Sequence, residues 1–520
     1  MTLEERALAA FGRAERQLAA ADHAPARRRL EEIRHGFGAR LRVALVGRVS
    51  SGKSTLVNAL LREERVPTGV SELTFQVTRL HRAARETLTV HYRDGRPSRE
   101  CGVDEFRELV VGAHQDPERQ AELAAVDWLD LGLPSTALDR FDLVDTPGLD
   151  SWLGEDSART LRFLGRTGTD LSDATVEHAS RADALVLVFA SGMADSEERL
   201  LEEVTGSGMR GVEPLTAVGA LTKVEHYWPS CADPLAEARQ IADRLMHRSG
   251  GRRTLFELVP VAGRLATGAA GATPQDVADL TDLADVPPSV LAARVRRGPF
   301  FVSRDYADLP VPRERREALY RRFGGYGIVL ACDLVREGLT DGEGLARELR
   351  RRSGVEHLWG LLVDHFGNRA TVVKLDRAVQ EARALPALAG AGCDAWVRWR
   401  LEEAAEEVTR LRRTEHVFQE LHLLRRLYDG SLACSPDESA EILRLTGEKG
   451  DSPARRLGLA EDSGADTLER AALLRQAYWA GVDLDVARGP EVAEAARTVR
   501  RSYDLLLDRV QRARKEREGP

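Results

Sequence analysis

The sequence predicts an α/β domain with a mostly parallel sheet, accompanied by a long α-helical bundle or stalk built from N-terminal and C-terminal helices. Three observations carry this. Between residues 41 and 305, short apolar runs alternate with polar helical segments, at 41–47, 77–83, 87–93, 141–145, 183–190, 214–221 and 256–262. The first run leads directly into a glycine-rich loop and then a helical segment. After about residue 305 the strand signals fade, and helical periodicity continues to the end.

Taken in order, residues 2–21 place Leu3, Ala7, Phe11, Ala14, Leu18 and Ala21 on one helical stripe, and Pro25 separates a second short helix at 26–36. This piece has an apolar face but no core, so it must pack on something later in the chain. The division expected is 1–40 for these helices, 41–305 for the α/β domain and 306–520 for the bundle. Within the sheet, one antiparallel hairpin is expected to turn at residues 91–95. From Trp396 to Tyr428, apolar residues recur at helical spacing, which if unbroken is a rod on the order of 50 Å long. A second rod is expected from Glu491 to about Arg517, after Pro490. Between them the glycines and proline of residues 447–453 mark a loop at one end of the bundle, with a candidate tip near 447–462.

Composition excludes several classes. With 520 residues, 43% of them hydrophobic and 30% charged, the chain can bury a large core and divide into two or three domains. It holds no run of roughly 18–20 apolar residues, so any membrane contact is expected to be peripheral. A net charge of −8 argues against wholesale binding to phosphate backbones, and no nucleic-acid partner is expected. The five cysteines are scattered without C-x-x-C spacing, which fits a reducing cytoplasmic setting and not a zinc site. Only five of the 75 basic residues are lysine, so each retained lysine marks a place where arginine would not serve.

Two of those lysines fall in nucleotide motifs. Gly47-Arg48-Val49-Ser50-Ser51-Gly52-Lys53-Ser54 matches G-x-x-x-x-G-K-[ST] between a strand and a helix, the context that motif requires. The glycines bring backbone N–H groups close to phosphate oxygens, Lys53 places a compact charge on the terminal phosphates, and Ser54 offers its hydroxyl to Mg²⁺. Phe141 to Gly148 forms a strand ending in Asp-x-x-Gly, where Asp145 would hold Mg²⁺ through water and the Gly148 N–H would sense the γ-phosphate. Thr222-Lys223-Val224-Glu225 closes another strand and is similar to the guanine-reading element N/T-K-x-D. Glutamate in place of aspartate shifts the acceptor by about 1.5 Å, which weakens the inference of guanine preference. The strand ending at Ala262 could supply a backbone N–H toward the base or be a plain βα loop.

These elements, in this order, give an α/β P-loop GTPase domain, and the finer sequence resembles the bacterial dynamin-like family over all three parts of the chain. The loop from Gly47 through Thr55 is similar to that family's G-x-x-x-S-G-K-S-T, and residues 66–74 resemble its switch segment L-P-x-G-x-x-x-T-T. The resemblance places Thr74 where the family has its Mg²⁺-binding, water-orienting threonine. Leu149 stands where Ras-like proteins carry a water-orienting glutamine, so hydrolysis needs another means of stabilising charge. In the family that help comes from pairing of G domains, with the serine matching Ser50 holding a monovalent cation, K⁺ or Na⁺. The resemblance therefore implies a GTP- and GDP-binding, Mg²⁺-dependent hydrolase that pairs with itself or a paralogue and moves its helical part at a membrane. Peripheral contact with the inner face of the cell membrane is expected, with residues 447–462, including Arg455, Arg456 and Leu457, and residues 296–301 as candidate sites. The rival readings are a regulatory or assembly GTPase acting on protein partners without lipid, and a catalytically weak nucleotide-binding scaffold.

Overall fold

The computed structural model describes residues 2–68, 76–111, 123, 125–147, 182–190, 212–248, 251–390 and 392–518. The chain divides into two compact units, Arg42–Leu361 and Met1–Leu41 with Leu362–Pro520.

The first unit is built on a nine-stranded sheet in the order β4-β3-β5-β2-β6-β1-β7-β8-β9. The strands are β1 Leu41–Gly47, β2 Val77–Arg82, β3 Thr87–Tyr92, β4 Arg99–Cys101, β5 Val126–Leu133, β6 Phe141–Asp145, β7 Ala184–Ala190, β8 Ala217–Thr222 and β9 Leu258–Val261. On one side β1, β7, β8 and β9 pair in parallel. Their apolar runs are nearly unbroken because both faces are covered. On the other side the sheet is mixed: β2 runs parallel to β5 but antiparallel to β6, and β3 is antiparallel to both β4 and β5. The expected hairpin is the β3–β4 pair, turning through Gly95 at φ +79°. Two further antiparallel pairings, β2–β6 and β3–β5, were not expected, and β5, whose apolar residues are interrupted by Asp127 and Asp130, gave no strand signal in the sequence.

The strands end at Val261, but this unit continues to Leu361. Helix Arg313–Arg336 places Leu319, Phe323, Ile328 and Leu334 in one apolar core with Leu187, Leu221, Leu265 and Leu280. Arg315 Nε donates to Asp279 at 3.0 Å, and Arg322 pairs with Asp276. Gly268 is required at the crossing, because a Cβ there would lie 2.5 Å from the Arg322 carbonyl. Fading strand signals near 305 thus mark the end of the sheet and not of the unit.

In the second unit the N-terminal helices pack on C-terminal ones. Helix Leu3–Ala21 opens with a Thr2/Glu5 capping box and buries Phe11 and Leu18. Arg13 reaches Glu407 at 2.7 Å, and from helix Ala24–Gly38 Arg29 reaches Glu381 at 3.1 Å. The rod expected over 396–428 is broken into Ala395–Thr409, Leu411–Thr414 and Val417–Tyr428. At the break Glu415 turns extended (φ −94°, ψ 119°) and accepts two hydrogen bonds from Arg6, both at 2.8 Å. Apolar spacing persists across the break because both pieces face the same bundle. The second rod is continuous over Pro490–Glu518 and packs along helix Ala465–Leu484.

Candidate functional site

The site begins where β1 meets the glycine-rich loop. Gly47 ends the strand against β7, and a Cβ there would lie 2.4 Å from the Val188 carbonyl, so no side chain fits. The loop turns through left-handed backbone at Ser50 (φ +58°) and Gly52 (φ +94°), and helix Lys53–Leu61 starts with no side-chain cap. No capping side chain competes for the first N–H groups of this helix, which with its dipole favour an anion.

Lys53 is buried, with its ammonium donating to the carbonyls of Gly47 at 3.0 Å and Arg48 at 2.9 Å. Ser54 donates its hydroxyl to Asp145 Oδ2 at 2.9 Å. Asp145 is fully buried at the end of β6, and its other oxygen, Oδ1, has no hydrogen-bond partner. Burial pushes its carboxyl pKa up to about 6, against the pull of the Lys53 charge and the Ser54 hydroxyl. An orphaned buried carboxylate oxygen beside a serine hydroxyl fits a hard cation. Among the described residues there is no cluster of three His, Cys, Asp or Glu that could hold a metal alone. Thr146 donates to the Leu45 carbonyl at 2.6 Å, tying this strand end onto β1.

From β8, the single Thr222 hydroxyl proton is shared between the Phe189 carbonyl, at 2.9 Å, and the carbonyl of Ser51. Thr222 therefore clamps the loop from below, whereas sequence assigned it to the base-reading element. Lys223 follows in left-handed conformation (φ +58°), and Glu225 lies half-buried in the short helix Val224–Tyr227. Burial raises the Glu225 carboxyl pKa, against its own backbone N–H and the charges of His226 and Arg264, and its Oε2 has no partner. Thr55 lies beside Gly263, where a Cβ would come within 3.2 Å of its methyl group. Ala262 differs from expectation: its N–H donates to the Ser353 carbonyl at 2.8 Å and is not presented to a ligand. Thr74 and Gly148 lie outside the described residues.

One residue that sequence reasoning missed is Asn58, buried in the glycine-loop helix. Its Oδ1 accepts from the N–H groups of Arg65 and Val66 at 2.9 and 2.8 Å, and its Nδ2 donates to the Val66 carbonyl at 2.8 Å. It fastens the start of the segment leading to Thr74. A polar residue at an apolar position of a short buried helix was the available signal.

Neither segment offered for membrane contact is free. In 447–462, Arg455 pairs with Glu461 at 2.6 Å, Arg456 with Asp451 at 2.7 Å, and Leu457 is buried. The Glu448 carbonyl accepts from Asn368 at 3.0 Å, so this part of the loop lies against the short turn Gly367–Arg369. In 296–301, Phe301 is buried, while Phe300 is exposed with the Arg304 guanidinium 4.3 Å from its ring centre. Among the described residues no helix is long and apolar enough to cross a membrane.

The fold is that of an α/β P-loop GTPase domain accompanied by a helical bundle. Residues 43–210 match the sequence model of the dynamin family. The chain is 28% identical over 469 residues to the isoniazid-induced protein IniC of Mycobacterium tuberculosis, covering 90% of each chain. It is 32% identical over 122 residues to dynamin-like protein 2 of Campylobacter jejuni, covering 24% of this chain and 19% of that one. A solved structure of an oligomerised bacterial dynamin pair aligns over 99% of this chain and 76% of its own, at 13% identity and a TM-score of 0.30, and nothing further rests on it. The similarity is thus to dynamin-family sequences over residues 43–210 of the chain and to one full-length relative, and it singles out no one protein.

Proposed function

We propose that the chain is a dynamin-like GTPase that binds GTP and GDP with Mg²⁺ and hydrolyses GTP when two such domains pair, moving its helical part at a lipid surface. The observation that carries this is the contact between Ser54 and Asp145 beside an unpartnered carboxylate oxygen, next to a loop whose first residue, Gly47, has no room for a side chain. Ser54 and Asp145 would hold Mg²⁺, joined by Thr74. When bound, the ion neutralises charge on the phosphates.

The chain's own residues do the rest. The N–H groups from Ser51 to Thr55 surround the phosphates, and Lys53 exchanges its loop carbonyls for phosphate oxygens. Thr222 and Gly47 fix the loop so that little reorganisation is needed at the moment of reaction. Lys223 and Glu225 face the base. Gly148 reports the terminal phosphate. Ser50, whose backbone is left-handed, would hold a monovalent cation once a second domain closes over the site.

The test is the hydrolysis rate per molecule as protein concentration rises. Pairing predicts a rate that accelerates with concentration. A rate that stays at the uncatalysed background at every concentration, in protein shown to bind GTP, overturns the proposal in favour of a scaffold.

A further inference from the structure

We propose that the turn between helices Ala370–Ala382 and Ala395–Thr409 is a membrane-contacting surface for anionic lipid, with Trp396 and Trp399 as its anchors. This rests on the reading above that the protein works at a lipid surface, and it names where.

Both tryptophans sit in the first turns of helix Ala395–Thr409, yet they are 46% and 47% exposed, and Leu388 across the turn is 41% exposed. By contrast Trp479 in the same unit is fully buried with its N–H bonded to Glu441. The Arg400 guanidinium lies 5.2 Å from the Trp396 ring centre and 4.9 Å from that of Trp399. Arg398 is exposed and donates to the Gly390 carbonyl at 3.3 Å, and Arg383 is exposed at the start of the turn.

Helix Ala24–Gly38 packs on the segment Leu385–Ala389, and its pairing of Arg29 with Glu381 sets its N-terminal end here. That adds Arg27 and Arg28. Against these cations stand Glu381, paired with Arg29 at 3.1 Å, Asp22, paired with Arg27 at 3.1 Å, and Asp394, whose carboxylate accepts from the Trp396 N–H at 2.7 Å. The end is basic while the chain as a whole carries −8.

Size and chemistry select the occupant. The exposed parts of two tryptophans and a leucine come to roughly 300 Å². That is well short of the ~800 Å² per partner of a stable protein interface. Tryptophan prefers the headgroup level of a bilayer, and arginines extend their charge to phosphate from an apolar stem. A small apolar contact reinforced by several basic residues is the composition of reversible binding to an anionic surface.

The full-length chain is floated with phosphatidylcholine vesicles, with and without phosphatidylglycerol, beside the double variant Trp396→Ala/Trp399→Ala and the single variant Arg398→Glu. The expected result is flotation only with phosphatidylglycerol, reduced about tenfold or more in the double variant and also weakened in Arg398→Glu. Solution GTP hydrolysis, thermal unfolding and sedimentation mass should match the unaltered chain. Equal flotation of variant and unaltered protein overturns the proposal, as does a variant with reduced self-association, which would assign the patch to a second copy. Flotation with phosphatidylglycerol that is equal in variant and unaltered chains overturns this inference alone, whereas a chain that hydrolyses GTP but floats with neither vesicle overturns the lipid-surface reading it rests on as well.

Discussion

The Thr222 hydroxyl donates to the Ser51 carbonyl, joining the end of β8 to the middle of the glycine-rich loop. The same hydroxyl reaches the Phe189 carbonyl at the end of β7, and Gly47 closes on Val188 of that strand. Three strands thus hold one loop.

Replacing Thr222 by valine preserves its shape and removes the donor. GDP affinity should fall about tenfold, the equivalent of roughly 1.4 kcal/mol for one lost buried hydrogen bond, and Thr222→Ser should retain it. Titration calorimetry on the three proteins decides. Unchanged affinity in Thr222→Val would remove the clamp from the account.

In the role proposed for it, Asp145 would make Mg²⁺ binding depend on pH. Its carboxyl pKa is raised to about 6 by burial, so the folded protein holds a proton that the unfolded chain has released above about pH 4. The stability from this group is full below the unfolded pKa and lost as pH rises through 6, a term of about 3 kcal/mol. A cation replaces that proton. The rise in melting temperature on adding Mg²⁺ and GDP should therefore be larger at pH 7.5 than at pH 5, by roughly a few degrees for a term of this size. Asp145→Asn should flatten the difference, and equal rises at both pH values in the unaltered protein would contradict it.

Asn58 should matter to the loop beyond the P-loop helix more than to the helix itself. Asn58→Ala leaves the N–H groups of Arg65 and Val66 without their acceptor, at a cost of about 2 kcal/mol. Urea unfolding measures the loss. Because the tether leads to Thr74, protease cutting within 66–75 should also quicken in the ligand-free variant, and cutting at the unaltered rate would count against the role.

The unit holding the nucleotide loop should not survive truncation at residue 305. A fragment over 42–361 is expected to fold, and one over 42–305 to aggregate, because Phe323, Ile328 and Leu334 complete its core. Gly268→Ala places a methyl group against the Arg322 carbonyl and should cost about 2 kcal/mol in the longer fragment. Circular dichroism and sedimentation distinguish these outcomes.

Much of this was legible in the sequence for physical reasons. The central strands are covered on both faces, so β1, β7 and β8 read as unbroken apolar runs, and the glycine-rich loop announces itself because few residues fit its backbone. What stayed hidden depends on partners remote in sequence. Asp127 and Asp130 masked β5, Glu415 broke a periodic helix to meet Arg6, and the Ala262 N–H was already taken by Ser353. The side chains of Thr222 and Asn58 acquire their roles only once the loop is folded over them. Exposure is likewise a property of the packed bundle. Leu457, offered by the sequence to a membrane surface, is buried in it.

The most direct test is calorimetric titration of the folded full-length chain with GTP, GDP and ATP, with and without Mg²⁺, beside Lys53→Ala. Guanine nucleotides should bind, more tightly with Mg²⁺, and the variant should lose at least about a hundredfold in affinity. Absence of heat with any guanine nucleotide, in protein that melts cooperatively, would contradict the function proposed for the site.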